Sequence, residues 1–496
     1  MNRPISRQIF SAIRLQNTGK RAVYLQLADA LLALIKKGRL RPGQKLPGSR
    51  DLAEWQQINR ITAAKAYEEL QTQGWVESFV GRGTFVARHL PTMQPKPLQP
   101  LPTVGSNETA GFSVPAPAYL TARLPLVTGR LHLDDGFPDP SLAPLKELYR
   151  AWRGQLTRGG LYHKFGSYSR PEGPELFRTA ISNYLNDTRG LNTSPKNILS
   201  VNGTVMGLNL VCNGLIEPGD IIVSGIPGWG RAEQNFLHAG AEHIGVPVDE
   251  HGLVTEELKK ICRRKKVRMV YVTPHHHYPT TVSLRIDRRL ELLQLAQEYG
   301  FIIFEDDYDY DFHYKNRPLL PLASADDRGM VIYGGSFSKS FSPAVRIGYL
   351  VASENVIQHL ASVRMLLDRQ GDHILDNAMA EILNDGTVQR YLRKTLAVYK
   401  ERRDFFCDLL RRELRGLVHF DIPEGGMTVW TNFAEHINLE TLAQQAAQKG
   451  LYISDGKVHQ YPSYHTNAIR LGFASSTKED MTASIAILKS LPELIS

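Results

Sequence analysis

The sequence reads as two domains of different architecture: a small α+β head built from a helix, a helix-turn-helix and a hairpin, and a large α/β domain with a mostly parallel sheet. Three observations lead there. Residues 20–90 carry helical periodicity that gives way to two short β-like runs, residues 160–350 alternate strand-like and helical runs, and a proline-rich stretch without periodicity lies between them. At 496 residues the chain is also too long for a single core, since roughly 100–200 residues per domain is usual.

In the head, Tyr24, Leu27, Ala28, Leu31, Leu32 and Ile35 recur at the spacing of an amphipathic helix. Lys36-Lys37 suit its C-terminal dipole and Gly38 its stop. After the turn Arg41-Pro42-Gly43, one short helix runs from Ser49 to about Gln56 and a second from Asn59 to Thr72, ended by Gly74. Trp75–Val80 and Thr84–Val86 flank Gly81-Arg82-Gly83 as a hairpin. That order is a winged helix-turn-helix.

Charge supports the same reading. Residues 1–90 hold 15 Lys and Arg against 6 Asp and Glu, while the rest of the chain holds 44 of each, so the whole formal excess of +9 lies on the head. A basic head on a neutral body suits a polyanion. On double-stranded DNA the second short helix would enter the major groove, with Asn59, Arg60, Thr62 and Lys65 near its leading end. Ser49, Arg50 and the wing-tip Arg82 would meet phosphate or the adjacent minor groove. The alternative is an interaction module whose basic face is merely solvated.

These residues also resemble a family. RPGQKLPGSRDLA (41–53) is similar to the GntR regulators' PGxxLPSxRxLA segment, and AYEEL (66–70) and GRGTFV (81–86) match their later AYxxL and GxGTFV segments. Gly48 stands where serine is usual, and Asn59 where serine or threonine is common.

From His89 to Pro117 seven prolines and few glycines mark a semi-extended linker. The expected division is therefore a head over 1–88, a linker over 89–128 and a large domain over 129–496. No run of about 18 apolar residues suggests a membrane span, and no apolar stretch after the first basic residues suggests a leader. Cys212, Cys262 and Cys407 are far apart with no CxxC, which excludes a disulfide scaffold. A reduced, cytoplasmic protein is expected.

The large domain carries three chemical signals. Ile198–Val201 leads through Asn202-Gly203-Thr204 into the helical stretch Val205–Cys212, a junction able to hold an anion on free N–H groups. Phe301–Phe304 is a buried-strand run ending in Glu305-Asp306-Asp307-Tyr308-Asp309, acids at a strand end where α/β sheets bind ligands. A metal held by Asp306, Asp307 and Asp309, or a solvated acidic loop, are the rival readings. Met330–Tyr333 then leads into Gly334-Gly335-Ser336-Phe337-Ser338-Lys339, with Arg346 seven positions after the lysine. One lysine among small hydroxyls beside an arginine is what an aldehyde phosphate needs: an amine for a Schiff base, and donors for the phosphate.

In this order the pieces resemble the fold-type I, class I aminotransferases, which have a small C-terminal subdomain. With the GntR head the chain looks like a MocR/GabR-like transcriptional regulator. The matching segments include RPEGPELFRTAISNYLNDTRGL (170–191), GLIEPGDIIVSGIPGWG (214–230), EDDYDYDF (305–312), SFSKSFSPAVRIGYL (336–350) and IRLGFA (469–474). The resemblance implies pyridoxal 5′-phosphate on Lys339, with Asp306 at the pyridine nitrogen and Tyr308 at the 3′-oxygen. It implies a phosphate cup of Gly203, Thr204, Ser336, Ser338 and Arg346, and Trp229 stacked on the ring. Arg470 would grip an amino acid's carboxylate, and Tyr168 would reach the other subunit's phosphate in a homodimer with exchanged heads. The family's SHQFPTG appears as His275-His276-His277-Tyr278-Pro279-Thr280-Thr281, which puts His277 at the cofactor edge. Three consecutive histidines cannot converge on one zinc, so no metal is expected. In place of the family's EDPGY acids stand Gly225-Ile226.

Three functions are compatible with these residues. The preferred one is a cofactor-dependent regulator that senses an amine, an amino acid or a B6 vitamer and repositions its DNA heads. The others are a working aminotransferase with an appended head, and a DNA-binding protein with a degenerate second domain. The intact Asp306, Lys339 and Arg346 set argues against the last.

Overall fold

The computed structural model describes residues 7–16, 21–91, 110–120, 129–133, 136–158, 160, 166–315, 319–462 and 464–495. The chain divides into two compact units, Met1–Val114 and Pro115–Ser496. Residues 92–109 and 121–128, most of the expected linker, lie outside the described residues.

In the head, helices α1 (Gln8–Ser11), α2 (Val23–Lys36), α3 (Ser49–Gln56) and α4 (Arg60–Thr72) precede strands β1 (Val76–Phe79) and β2 (Gly83–Val86). Leu27, Leu31 and Ile35 of α2 are buried with Leu52, Ala63, Ala66 and Leu70, so each helix gives one apolar face to a shared core. Gln57, left-handed at φ 53°, turns the chain between α3 and α4. Asn59 is the N-cap of α4, its side-chain oxygen accepting the Ile61 N–H at 2.9 Å, so the helix starts one residue later than expected. Strand β1 pairs with β2 from Val76↔Val86 to Phe79↔Gly83, which makes Gly83 a strand residue. The periodicity gave no warning of α1; its Phe10 is fully buried and lies 5.6 Å from the Trp55 ring.

The large unit contains β3 (Leu131–His132), β4 (Ile198–Val201), β5 (Ile221–Ile226), β6 (Glu242–Asp249), β7 (Gly252–Leu253), β8 (Val267–Val272), β9 (Ile302–Asp307), β10 (Val331–Ser336) and β11 (Gly348–Val351). Eight of these strands form one sheet in the order β4-β11-β10-β9-β8-β5-β6-β7. Strand β11 runs antiparallel to both neighbours and β7 antiparallel to β6; the other pairings are parallel. Alternate side chains of β9 enter different cores, Ile303 one and Phe304 the other, so both faces of the sheet are covered. Strands β12 (Val418–His419), β13 (Thr428–Phe433) and β15 (Ala468–Gly472) form a smaller antiparallel sheet, the C-terminal subdomain. Strand β14 (Leu451–Tyr452) pairs with β3 and ties residues 131–132 to it. The acidic run expected after β9 is part of that strand: Glu305, Asp306 and Asp307 pair with Tyr333, Gly334 and Gly335 of β10.

Candidate functional site

The C-terminal ends of β4, β9 and β10 open onto one cavity of about 280 Å³, the place where open α/β sheets bind ligands. Strand β4 passes through Gly203 into helix α5 (Thr204–Leu215), and β5 leads to Trp229, the N-cap of helix α6 (Gly230–His238). Strand β10 runs into the single-turn helix α7 (Phe337–Ser340), which carries Lys339. Thr204, Trp229, Ser336, Ser338, Lys339 and Arg346 all line the cavity.

The Lys339 ammonium donates to Gly136 O at 2.8 Å and lies 4.6 Å from the Phe137 ring. Arg346 donates from Nη1 to Ser338 Oγ at 2.9 Å and from Nη2 to Asn202 O at 2.8 Å. Gly203, at φ +86°, makes this possible: a Cβ there would lie 2.4 Å from Arg346 Nη2. The cavity thus sets a guanidinium and the three hydroxyl residues Thr204, Ser336 and Ser338 around a helix start, an arrangement that suits an anion.

Strand alternation separates the acids. Asp306 lines the cavity, with Oδ2 accepting from Tyr271 Oη at 2.7 Å and buried Oδ1 without a hydrogen-bond partner. Burial pushes its carboxyl up to about 7. Its neighbours have other partners. Glu305 accepts the N–H groups of Leu322 and Ala323 at 2.8 and 2.9 Å, and Asp307 accepts from the Tyr333 hydroxyl near Arg189. Burial raises these carboxyls too, to about 7 and about 6. Asp309 takes the Nδ1–H of His276 at 2.7 Å. The run is therefore neither a solvated loop nor a set of converging metal ligands.

Tyr308 and Arg470 complete the cavity lining among the expected residues. Tyr308 Oη donates to His276 O at 2.8 Å. Arg470, buried in β15, donates to Pro279 O at 3.0 Å with its guanidinium 4.6 Å from the Tyr278 ring. Gly203 is not itself in the lining but packs against Arg346, and two further expected residues lie elsewhere. His277 is not at the cavity: its Nε2–H donates to Pro227 O at 2.8 Å, and burial lowers the imidazole to about 4, which keeps it neutral. Its ring lies beside Gly225, where a Cβ would sit 2.6 Å from Val248 Cγ2 and 2.7 Å from His277 Cε1. Tyr168 is exposed and stacks on the Arg369 guanidinium at 3.9 Å. Sequence reasoning missed Tyr271 and Tyr278; only strand pairing sets Tyr271 beside Asp306.

In the head, Arg50, Asn59, Arg60, Lys65 and Arg82 are exposed, and Ser49 and Thr62 half-buried. The buried face of α4 (Ala63, Ala66, Tyr67, Leu70) packs inward, leaving the opposite face to solvent. Among the described residues no helix is long and apolar enough to cross a membrane.

Fold and site together define a class: a helix-turn-helix regulator joined to an aminotransferase-like domain. Residues 143–488 match the family described as aminotransferase class I and II, and residues 23–86 the bacterial regulatory proteins of the gntR family. The chain belongs to the HTH-type transcriptional regulators with a gntR-type head and an aminotransferase class I and II domain. It is 30% identical over 471 residues to the uncharacterized HTH-type transcriptional regulator YdfD of Bacillus subtilis, covering 93% of this chain and 94% of that protein. It is 28% identical over 475 residues to the probable rhizopine catabolism regulatory protein MocR of Rhizobium meliloti, with 94% and 93% covered. Among solved structures, the multiple substrate aminotransferase of Thermococcus profundus is similar with a TM-score of 0.66 at 26% identity, covering 73% of this chain and 90% of that one. The Pyrococcus horikoshii kynurenine aminotransferase, solved in complex with PMP, gives the same four values.

Proposed function

We propose that this regulator binds an operator through its head and pyridoxal 5′-phosphate through its large domain, and that it senses an amine, an amino acid or a B6 vitamer there. The observation that carries the reading is Asp306. A buried carboxylate with one oxygen lacking a partner is costly, and a protonated pyridine nitrogen against that oxygen removes the cost while staying protonated itself. The absence of a side chain at Gly203, which lets Arg346 close the anion cup, fits the phosphate.

When bound, the cofactor supplies reversible covalent capture of primary amines. Lys339 would hold it, and the Gly136 carbonyl, which accepts from the lysine ammonium at 2.8 Å, would orient that amine in the cavity. Gly203, Thr204, Ser336, Ser338 and Arg346 would grip the phosphate, Trp229 would cover the ring and Tyr308 would meet the 3′-oxygen. Arg470, oriented by Pro279 O and the Tyr278 ring, would read a carboxylate in bidentate fashion. Tyr168, exposed on this chain, would serve the cavity of a second copy in a homodimer with exchanged heads. An operator-binding role implies a cytoplasmic protein.

A spectral titration with amines, amino acids and B6 vitamers, run alongside operator affinity, tests the reading. Wild type reconstituted with cofactor is yellow, Lys339→Ala is not, and borohydride trapping leaves the adduct on Lys339. An effector that changes both spectrum and operator affinity supports regulation. A colourless wild type overturns the cofactor assignment, and sustained keto-acid release makes the chain a working aminotransferase instead.

A further inference from the structure

Ile61 stands out on the exposed face of α4. It is the second residue of that helix, and 65% of its surface is open. A lone exposed isoleucine is ordinary on most surfaces, but this one lies between Arg60 and Thr62 at the leading end of the helix that the basic head presents. Its position is also held: the Ile61 N–H is the group that the Asn59 side chain caps at 2.9 Å. Ala64 and Lys65, three and four residues on, are exposed on the same face, so the isoleucine continues into a small apolar strip flanked by cations. A β-branched residue has a modest helix propensity, and here no core packing compensates it.

We infer that Ile61 reads a thymine: its side chain contacts a base methyl in the major groove, a specificity determinant separate from the polar set Asn59, Arg60, Thr62 and Lys65. The thymine methyl is the apolar group that bases present in that groove, and the minor groove carries none. A wing in the minor groove therefore cannot make this contact. The assignment rests on the DNA-binding reading of the head.

The test begins with full-length protein selecting its site from a random duplex pool at fixed ionic strength. Each thymine of the selected site is then replaced singly by deoxyuridine, which removes the methyl and keeps the base pair. At one thymine per half-site, uracil weakens wild type about fourfold, the worth of one buried methyl group. Ile61→Ser binds the thymine and uracil duplexes equally, and Ile61→Val keeps the preference. A thermal melt matching wild type shows that the serine variant is folded. Wild type that ignores uracil at every position, or a uracil penalty that survives in Ile61→Ser, overturns the methyl contact alone. Failure to enrich or bind any duplex overturns the DNA reading, and this inference with it.

Discussion

Asp306 shows how one carboxyl can report whether its cavity is filled. With the cavity stripped of the proposed cofactor, the folded protein keeps this group protonated up to about pH 7, whereas an unfolded aspartate ionises near pH ~4. The folded state therefore binds the extra proton between those values, and its stability falls as pH rises through that window. Asp306→Asn keeps an oxygen for Tyr271 and removes the proton. The stripped variant should melt above stripped wild type at pH 8, with the gap closing towards pH 4; an equal gap at both pH values contradicts the assignment. Thr281 poses a different local question. It stands where the family segment has glycine and keeps a glycine-like φ of 65°, a conformation that strains a β-branched residue.

Two junctions carry sharper tests. Where β4 meets α5, Gly203→Ala would drive a Cβ into Arg346 Nη2, so the guanidinium must shift from its place between Ser338 Oγ and Asn202 O. Cofactor affinity should fall by roughly tenfold or more, the worth of a charge-assisted hydrogen bond, with Lys339 still present; unchanged affinity in an absorbance titration contradicts the cup. At the start of α4, the Asn59 cap should contribute about 1 kcal/mol. Asn59→Ala should raise amide exchange within α4 about fivefold, and Asn59→Ser should restore protection. The helix boundaries were legible because periodicity and capping are local. The short helix α1 was not, because what holds it is the burial of Phe10 against Trp55, a residue distant in sequence.

The two halves of the chain are expected to fail independently. Arg60→Ala with Arg82→Ala should weaken operator binding and flatten its salt dependence by roughly 0.9 in log–log slope for each phosphate no longer neutralised, while the cofactor colour stays intact. A gel shift with unchanged affinity would mean that the DNA face lies elsewhere. Lys339, Arg346, Ser336 and Ser338 could be picked out from the amino-acid order because they cluster around a strand end, and all four line one cavity. The basic head was readable too, since charge is additive along a chain. Which acid faces the ligand was not written locally: Glu305, Asp306 and Asp307 look alike in one dimension, and only the pleat of β9 sends the middle one to the cavity and its neighbours to the backbone of Leu322 and Ala323 and to Tyr333. His277 lies away from the cavity for a different reason: it stands in the loop after β8, and its direction is set by the Pro227 carbonyl and the space beside Gly225 of β5. Composition and local motif determined the two-domain order and the family to which the chain belongs; long-range packing assigned each side chain its partner, because a strand offers two faces and only its neighbours choose between them.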